Sequence, residues 1–247
     1  MIAAPARRAI ASISNISVKS VLMPVPIPLW PKIDTIMFDM DGTLLDLHFD
    51  NYFWRVLVPE SYSARHDVSL QAAQDLVQQK TDEVYGTLNW YCLDYWAREL
   101  DLEIAELKRT ITRKISLRPN VEPFLRALWY TGKRMLLITN AHPASLEIKM
   151  NNADIAAYFH RCISAHQLRL SKESHGFWEK LQDLEAFDPG RTILFDDSLP
   201  VLRRARQEGI RHVYGIHKPD SRRPALDHDE FPLVEDFGDL LPGFRSG

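Results

Sequence analysis

Two aspartates, Asp39 and Asp41, stand one residue apart in the segment FDMDGTLLD, residues 38–46. The apolar run from Ile33 to Phe38 reads as a buried strand, so both acids fall at its end. Burying one unpaired carboxylate is costly, and burying two is worse. A cation must sit there, or a reaction must occur there. A second acidic pair, Asp196 and Asp197, closes the apolar run TILFDD (192–197). Thr139 and Asn140 close a third run, in LLITNAHP, and Lys172 lies between these two runs in RLSKES. Four carboxylates in one crevice repel each other, and a hard divalent cation relieves this; Mg²⁺ takes a few carboxylates, carbonyls and waters. Mg²⁺ commonly accompanies phosphate. The Thr139 hydroxyl, the Asn140 amide, the backbone N–H groups after Asp39 and the Lys172 ammonium suit phosphate oxygens. Gly42 permits the tight turn that aims those amides inward. A carboxylate held against phosphorus can act as a nucleophile.

The elements that must position these groups are legible as four apolar stretches: TIMFDM (35–40), RMLLIT (134–139), TILFDD (192–197) and HVYGI (212–216). Near-continuous apolar runs of this kind are strands covered on both faces. Helical patterns separate them. VEPFLRALWYTG ends at Gly132, GFWEKLQDLEAF precedes the third strand, and SLPVLRRARQEGI ends at Gly209. Strands alternating with helices predict an α/β fold with a Rossmann-like open parallel sheet. The C-terminal ends of parallel strands face one crevice, so acids more than 150 residues apart can meet there.

One segment breaks the alternation. Between about Asp50 and Arg118 no strand is evident, and SLQAAQDLVQQKTDEVYGTLNWYCLDYWARELDL and IAELKRTITRKI are helical by period and propensity. The expected organisation is a flexible N-terminal extension over 1–30, an α/β core over 31–48 and 117–247, and an inserted helical cap over 49–116. The cap carries Trp90, Tyr91, Tyr95 and Trp96, most of which suit its own core. A helical module at the C-terminal edge of a sheet also roofs a cleft.

Asp39-Met40-Asp41-Gly42-Thr43, Thr139-Asn140, Lys172 and Asp196-Asp197 resemble, in order, spacing and strand context, the four motifs of the haloacid dehalogenase (HAD) superfamily of phosphohydrolases. The insert has the placement of that family's C1-type cap. Within the superfamily, DMDGTLLDLHFDNYFW, TLNWYCLDYW and TNAHP look most like the bacterial purine 5′-nucleotidases acting on GMP and IMP. The resemblance implies Asp39 as nucleophile, through an aspartyl-phosphate, and Asp41 as general acid and then base. It implies Thr43, Thr139 and Asn140 around the phosphoryl group and Lys172 as its neutralising cation. It implies Mg²⁺ on Asp39, the Asp41 carbonyl, Asp197 and Asp196, the last either ligating or ordering water. Asp41 argues against dehalogenation, because the dehalogenase branch lacks that second aspartate. For a purine base, Asn51 and Arg55 are candidate donors to O6, Asp94 a candidate acceptor from N1–H, and Trp90, Tyr91 or Tyr95 a stacking surface.

Other readings bound this one. A sugar phosphate or another small phosphomonoester would use the same core. A receiver-type phosphoacceptor shares the acid cluster and lysine but usually lacks an insert of this size. A silent binding protein on the same fold finds no support, since every motif residue is present. Net charge is −3, so no overall basic field draws in nucleic acid. Apolar runs are too short to span a bilayer. Two cysteines, Cys92 and Cys162, show no metal-ligand spacing and suit a reducing compartment, hence a cytoplasmic monomer or small homo-oligomer. The histidines show no HExxH spacing, and His142, two residues past Asn140, is placed to line the cleft.

Overall fold

The structure, a computed structural model, describes residues 30–226 and 228–241. The expected extension over 1–30 lies outside these residues except for Trp30. Six parallel strands form one sheet: β1 (Thr35–Phe38), β2 (Arg134–Thr139), β3 (Arg161–Ser164), β4 (Thr192–Phe195), β5 (His212–Ile216) and β6 (Leu233–Val234). Their order is β3-β2-β1-β4-β5-β6, so the chain reverses its winding between β1 and β4. Thr35 pairs with Arg134 on one side and Thr192 on the other, which brings the C-terminal ends of β1, β2 and β4 level. All four expected strands are present. β1 and β4 stop at Phe38 and Phe195, two residues earlier than their apolar runs suggest. The acids follow at once, beyond the ladder and free to turn into the crevice. β3 and β6 are too short, at four and two residues, to carry a readable period.

Between β1 and β2 the chain is helical. It runs through α1 (His48–Tyr52), a π-helical turn (Phe53–Leu57), α2 (Val58–His66), α3 (Leu70–Val84), α4 (Leu88–Tyr91), α5 (Leu93–Leu100) and α6 (Ile104–Thr110). The long helical pattern expected over 69–102 is broken at Gly86, whose φ of +75° no helix accommodates. The Ser69 hydroxyl accepts from the Ala72 N–H at 3.2 Å and caps α3. Phe53, Val58, Val77, Leu93, Trp96, Leu100 and Ile104 form a separate core for this insert. The Trp96 indole donates to the Trp90 carbonyl at 2.9 Å, so that ring is structural.

Four helices cover the sheet: α7 (Val121–Trp129), α8 (Pro143–Ala153), α9 (Phe177–Leu184) and α10 (Leu199–Gln207). Alternate strand residues divide between the two faces. Phe38, Leu137 and Phe195 share one cluster with Phe124 and Leu128 of α7. Met37, Leu136 and Leu194 share the other with Trp178 and Leu181 of α9 and Val201 and Leu202 of α10. Each such side chain, fully buried, stabilises by roughly 1.5–3 kcal/mol. The centre is aromatic: Phe38 stacks on Phe195 at 5.3 Å and meets Phe124 edge-on at 6.2 Å. This packing holds the last residues of β1 and β4 rigidly beneath the acids.

Candidate active site

Asp39 is the first residue past β1, and its N–H donates to the Phe195 carbonyl at 2.9 Å. The chain then turns sharply. Gly42 lies at φ +83°, and Leu44 and Leu45 N–H both donate to the Met40 carbonyl. A Cβ at Gly42 would collide with the Asp197 carboxylate, so glycine is required there by space as well as by conformation. The loop after β4 thus closes over the loop after β1.

Lys172 joins the two acidic pairs. Its buried ammonium donates to Asp39 Oδ1 at 2.5 Å, Asp196 Oδ2 at 2.6 Å and the Ile138 carbonyl at 3.2 Å. Burial works against its charge, but Asp196 and Asp39 hold it well above the usual lysine range. The Ser198 N–H occupies the other oxygen of Asp196 at 2.9 Å. Asp196 is therefore committed at both oxygens to protein partners. Asp197 is different: among the described residues its carboxylate accepts no hydrogen bond. Burial first, then the charges of Asp39 and Asp196, push its carboxyl well above the usual range. Asp39 is likewise pushed up to about 6 by burial, against the pull of Lys172.

One buried lysine thus faces three acids. A divalent cation between Asp39 and Asp197 would supply the missing positive charge, and the unpartnered Asp197 carboxylate at the closed loop crossing fits that role. Asp196, tied to Lys172 and Ser198, fits an outer position.

Thr139 ends β2, and its hydroxyl accepts from the Ala141 N–H at 3.0 Å. Asn140 is a connector. Its Oδ1 accepts from the Lys172 N–H at 2.8 Å, and its amide donates to Glu173 Oε2 at 2.9 Å. Glu173 also accepts from the Tyr91 hydroxyl at 3.0 Å, tying the helical insert to the sheet. Thr43 does not reach the cleft: it is fully buried, and its hydroxyl has no partner among the described residues.

A second charge network was not expected from the sequence. Lys149 of α8 donates to Asp50 Oδ2 at 2.6 Å and forms an ion pair with Asp41 Oδ1 at 2.6 Å. Lys108 of α6 donates to Asp50 Oδ1 at 2.7 Å. Both lysines are buried. Burial pushes Asp41 up to about 6, aided by the Asp50 charge and opposed by Lys149. Burial also opposes the charge on Asp50, but Lys108 and Lys149 prevail and hold it down at about 2. A weak signal did exist. Lys108 lies four residues after buried Ile104 and so falls on the inner stripe of its helix, whereas Lys149, between Ile148 and Met150, carries no such spacing to a buried apolar residue.

Above these groups lies a cleft of about 1070 Å³. Its floor includes Asp39, Asp41, Lys172 and Asp197, and its roof includes Trp54, Arg55, Tyr85, Trp90 and Tyr91. Trp54 and Arg55 belong to the π-helical turn, an irregularity frequent at functional sites. Of the expected base-reading residues, Asn51, Arg55, Trp90 and Tyr91 line the cleft. The Asn51 amide, however, is engaged by Asp220 Oδ2 at 2.7 Å. Asp94 and Tyr95 lie outside the lining, and Asp94 is instead 3.5 Å from His142 Nε2.

The chain is similar to known proteins in sequence and in fold. A family model described as haloacid dehalogenase-like hydrolase matches residues 33–213. The chain is 39% identical over 213 residues to the GMP/IMP nucleotidase YrfG of Escherichia coli, covering 86% of this chain and 96% of that protein. It is 21% identical over 216 residues to a phosphorylated carbohydrates phosphatase of Thermotoga maritima, covering 82% and 94%. In fold it is similar to a HAD phosphatase from Thermococcus onnurineus, with a TM-score of 0.71 at 18% identity over 84% of this chain and 96% of the other. With its family model spanning the acid-bearing strands β1 and β4, this chain belongs to the haloacid dehalogenase-like hydrolase family and is a hydrolytic enzyme.

Proposed function

We propose that this protein is a Mg²⁺-dependent phosphomonoester hydrolase acting on purine nucleoside 5′-monophosphates of the GMP and IMP type. The observation that carries this reading is the pairing of environments at the end of β1. Asp39 is gripped by Lys172 on the floor of the cleft, and Asp41, two residues on, is pushed up to about 6.

An Asp39 oxygen attacks phosphorus while the bond to the leaving nucleoside oxygen breaks, giving an aspartyl-phosphate. Asp41, whose raised pKa of about 6 brings its protonated form within reach near neutral pH, gives its proton to that oxygen. Asp41 then accepts a proton from the water that attacks the aspartyl-phosphate, releasing phosphate and restoring Asp39. Lys172 balances the negative charge through both steps. Lys149 holds the Asp41 carboxylate in position. Mg²⁺, held by the Asp39 and Asp197 carboxylates and the Asp41 main-chain carbonyl, would supply further positive charge to the phosphoryl oxygens.

Selectivity is assigned to the roof, which we read as a cap over residues 49–116. Trp54, Trp90 and Tyr91 offer flat surfaces, and base–aromatic stacking contributes about 1–3 kcal/mol. Among the described residues Arg55 forms no ion pair, and it is placed to donate to a 6-oxo group. The reading of the nucleotidase of Escherichia coli as a relative supports a purine substrate. Phosphate release measured over GMP, IMP, AMP, CMP and glucose 6-phosphate tests it. GMP and IMP should show the highest kcat/KM. If AMP or the sugar phosphate leads, the purine assignment fails and only the hydrolase of phosphomonoesters survives.

A further inference from the structure

In sequence Cys92 has no metal-ligand spacing to another cysteine or histidine. In the fold it meets His142 and His166, with one ligand atom of each lying within 4.8 Å of the other two. The three residues come from two sides of the cleft. Cys92 joins α4 to α5 in the insert, while His142 caps α8 and His166 follows β3 in the sheet domain. They lie beside the acid cluster but share no residue with it.

The nitrogens are specific. His166 Nε2 is buried and has no hydrogen-bond partner. That nitrogen is therefore open to a partner that the protein itself does not supply. A neutral imidazole with its lone pair on Nε2 is the form a ligating histidine needs. Burial, with His142 next, pushes His166 down to about 4, so it is neutral near pH 7. The His142 and His166 rings meet edge-on with centroids 5.0 Å apart. His142 Nδ1 accepts from the Ala144 N–H at 3.3 Å. Ligation through His142 Nε2 moves the proton to Nδ1 and gives up that long bond. The exposed Asp94 carboxylate, 3.5 Å from His142 Nε2, lies outside this group of three and would serve as a fourth ligand by turning inward.

We propose that Cys92, His142 and His166 form a site for a borderline-soft divalent cation of the Zn²⁺ class, bridging the helical insert and the sheet domain. One thiolate, two imidazoles and a carboxylate are a tetrahedral Zn²⁺ donor set, whereas Mg²⁺ prefers oxygen alone. Binding releases the Cys92 thiol proton to solvent. Because His142 lies two residues past Asn140, the ion would join the cap to the segment that carries Thr139 and Asn140.

The test uses the full chain, reduced and freed of metal, in excess Mg²⁺ to fill the carboxylate site. Co²⁺ should give a thiolate-to-metal charge-transfer band that saturates at one equivalent, and Zn²⁺ should abolish it by displacement. Cys92→Ala should remove the band. His166→Ala should weaken Zn²⁺ binding by at least the roughly 10–100-fold seen when even an outer-sphere partner is lost. Cys162→Ser and Asp197→Asn should leave both intact. Absence of the band from the native chain overturns the proposal, and that readout stands even if a variant fails to fold. Native Zn²⁺ affinity in Cys92→Ala, or loss of binding in Asp197→Asn, overturns it equally.

Discussion

Asp50→Asn isolates the network that the sequence did not announce. Asp50 accepts from two buried ammoniums, Lys108 Nζ at 2.7 Å and Lys149 Nζ at 2.6 Å. With Asp41 it gives two negative charges against two positive ones. The substitution keeps the shape but leaves two buried lysines facing Asp41 alone. Breaking a buried pair typically costs 3–5 kcal/mol. Lys108, already lowered by burial, can relieve part of this by losing its proton. The lowering of the carboxyl from 3.8 to about 2 gives an independent figure of about 2 kcal/mol. A loss of about 2–4 kcal/mol is expected, which for a chain of this size lowers Tm by roughly 5–15 °C. Circular dichroism melts at pH 7 measure it. The sign of the pH dependence is fixed by the depressed pKa. Asp50 contributes fully above 3.8, and the contribution is lost as pH falls through about 2. The gap between native and variant should therefore be constant from neutral pH to about pH 5 and shrink below pH 4. Adding Lys108→Met to Asp50→Asn should recover part of the loss, since it removes an unpaired buried charge. A variant melting within 2 °C of the native chain at pH 7 would refute the assignment of stability to this network.

Asp39→Asn should abolish turnover and leave no phosphorylated enzyme trapped from radiolabelled substrate, with an unchanged circular dichroism spectrum. Asp41→Asn should retain the nucleophile and lose the acid–base contribution, about 10²–10⁴-fold in kcat. Substantial turnover by a folded Asp39→Asn chain would overturn both roles. Chelation should stop phosphate release and added Mg²⁺ restore it, and Mg²⁺ at 100 times its Kd should stabilise the fold by about 2.7 kcal/mol in thermal melts; full activity in excess chelator contradicts this. Gly42→Ala should displace Asp197 and sharply reduce kcat, because the new Cβ meets that carboxylate and the φ of +83° disfavours alanine; native kcat in this variant would show that the loop crossing is not needed.

The sequence by itself determined the groups at the strand ends. Asp39, Asp196 and Thr139–Asn140 each close an apolar run, and apolar runs of strand length declare themselves because they are buried on both faces. The helical nature of the insert was equally local, being written in period and propensity. Tertiary structure decided what those groups touch. Asp196 proves tied to Lys172 and Ser198, while Asp197 stands free beside Gly42. Thr43 turns into the core, and Asp94 lies by His142, outside the cleft. A carboxylate's partner depends on packing across the chain: Lys149 meets Asp50 across 99 residues and Lys172 meets Asp39 across 133. A lysine on a helix carries no mark of the acid it will meet. Its identity is set by propensity and stripe, and its partner only by how the insert, the sheet and α8 close on one another. Cys92 belongs with His142 and His166 for the same reason, since sequence spacing records distance along the chain and ligation requires distance in space.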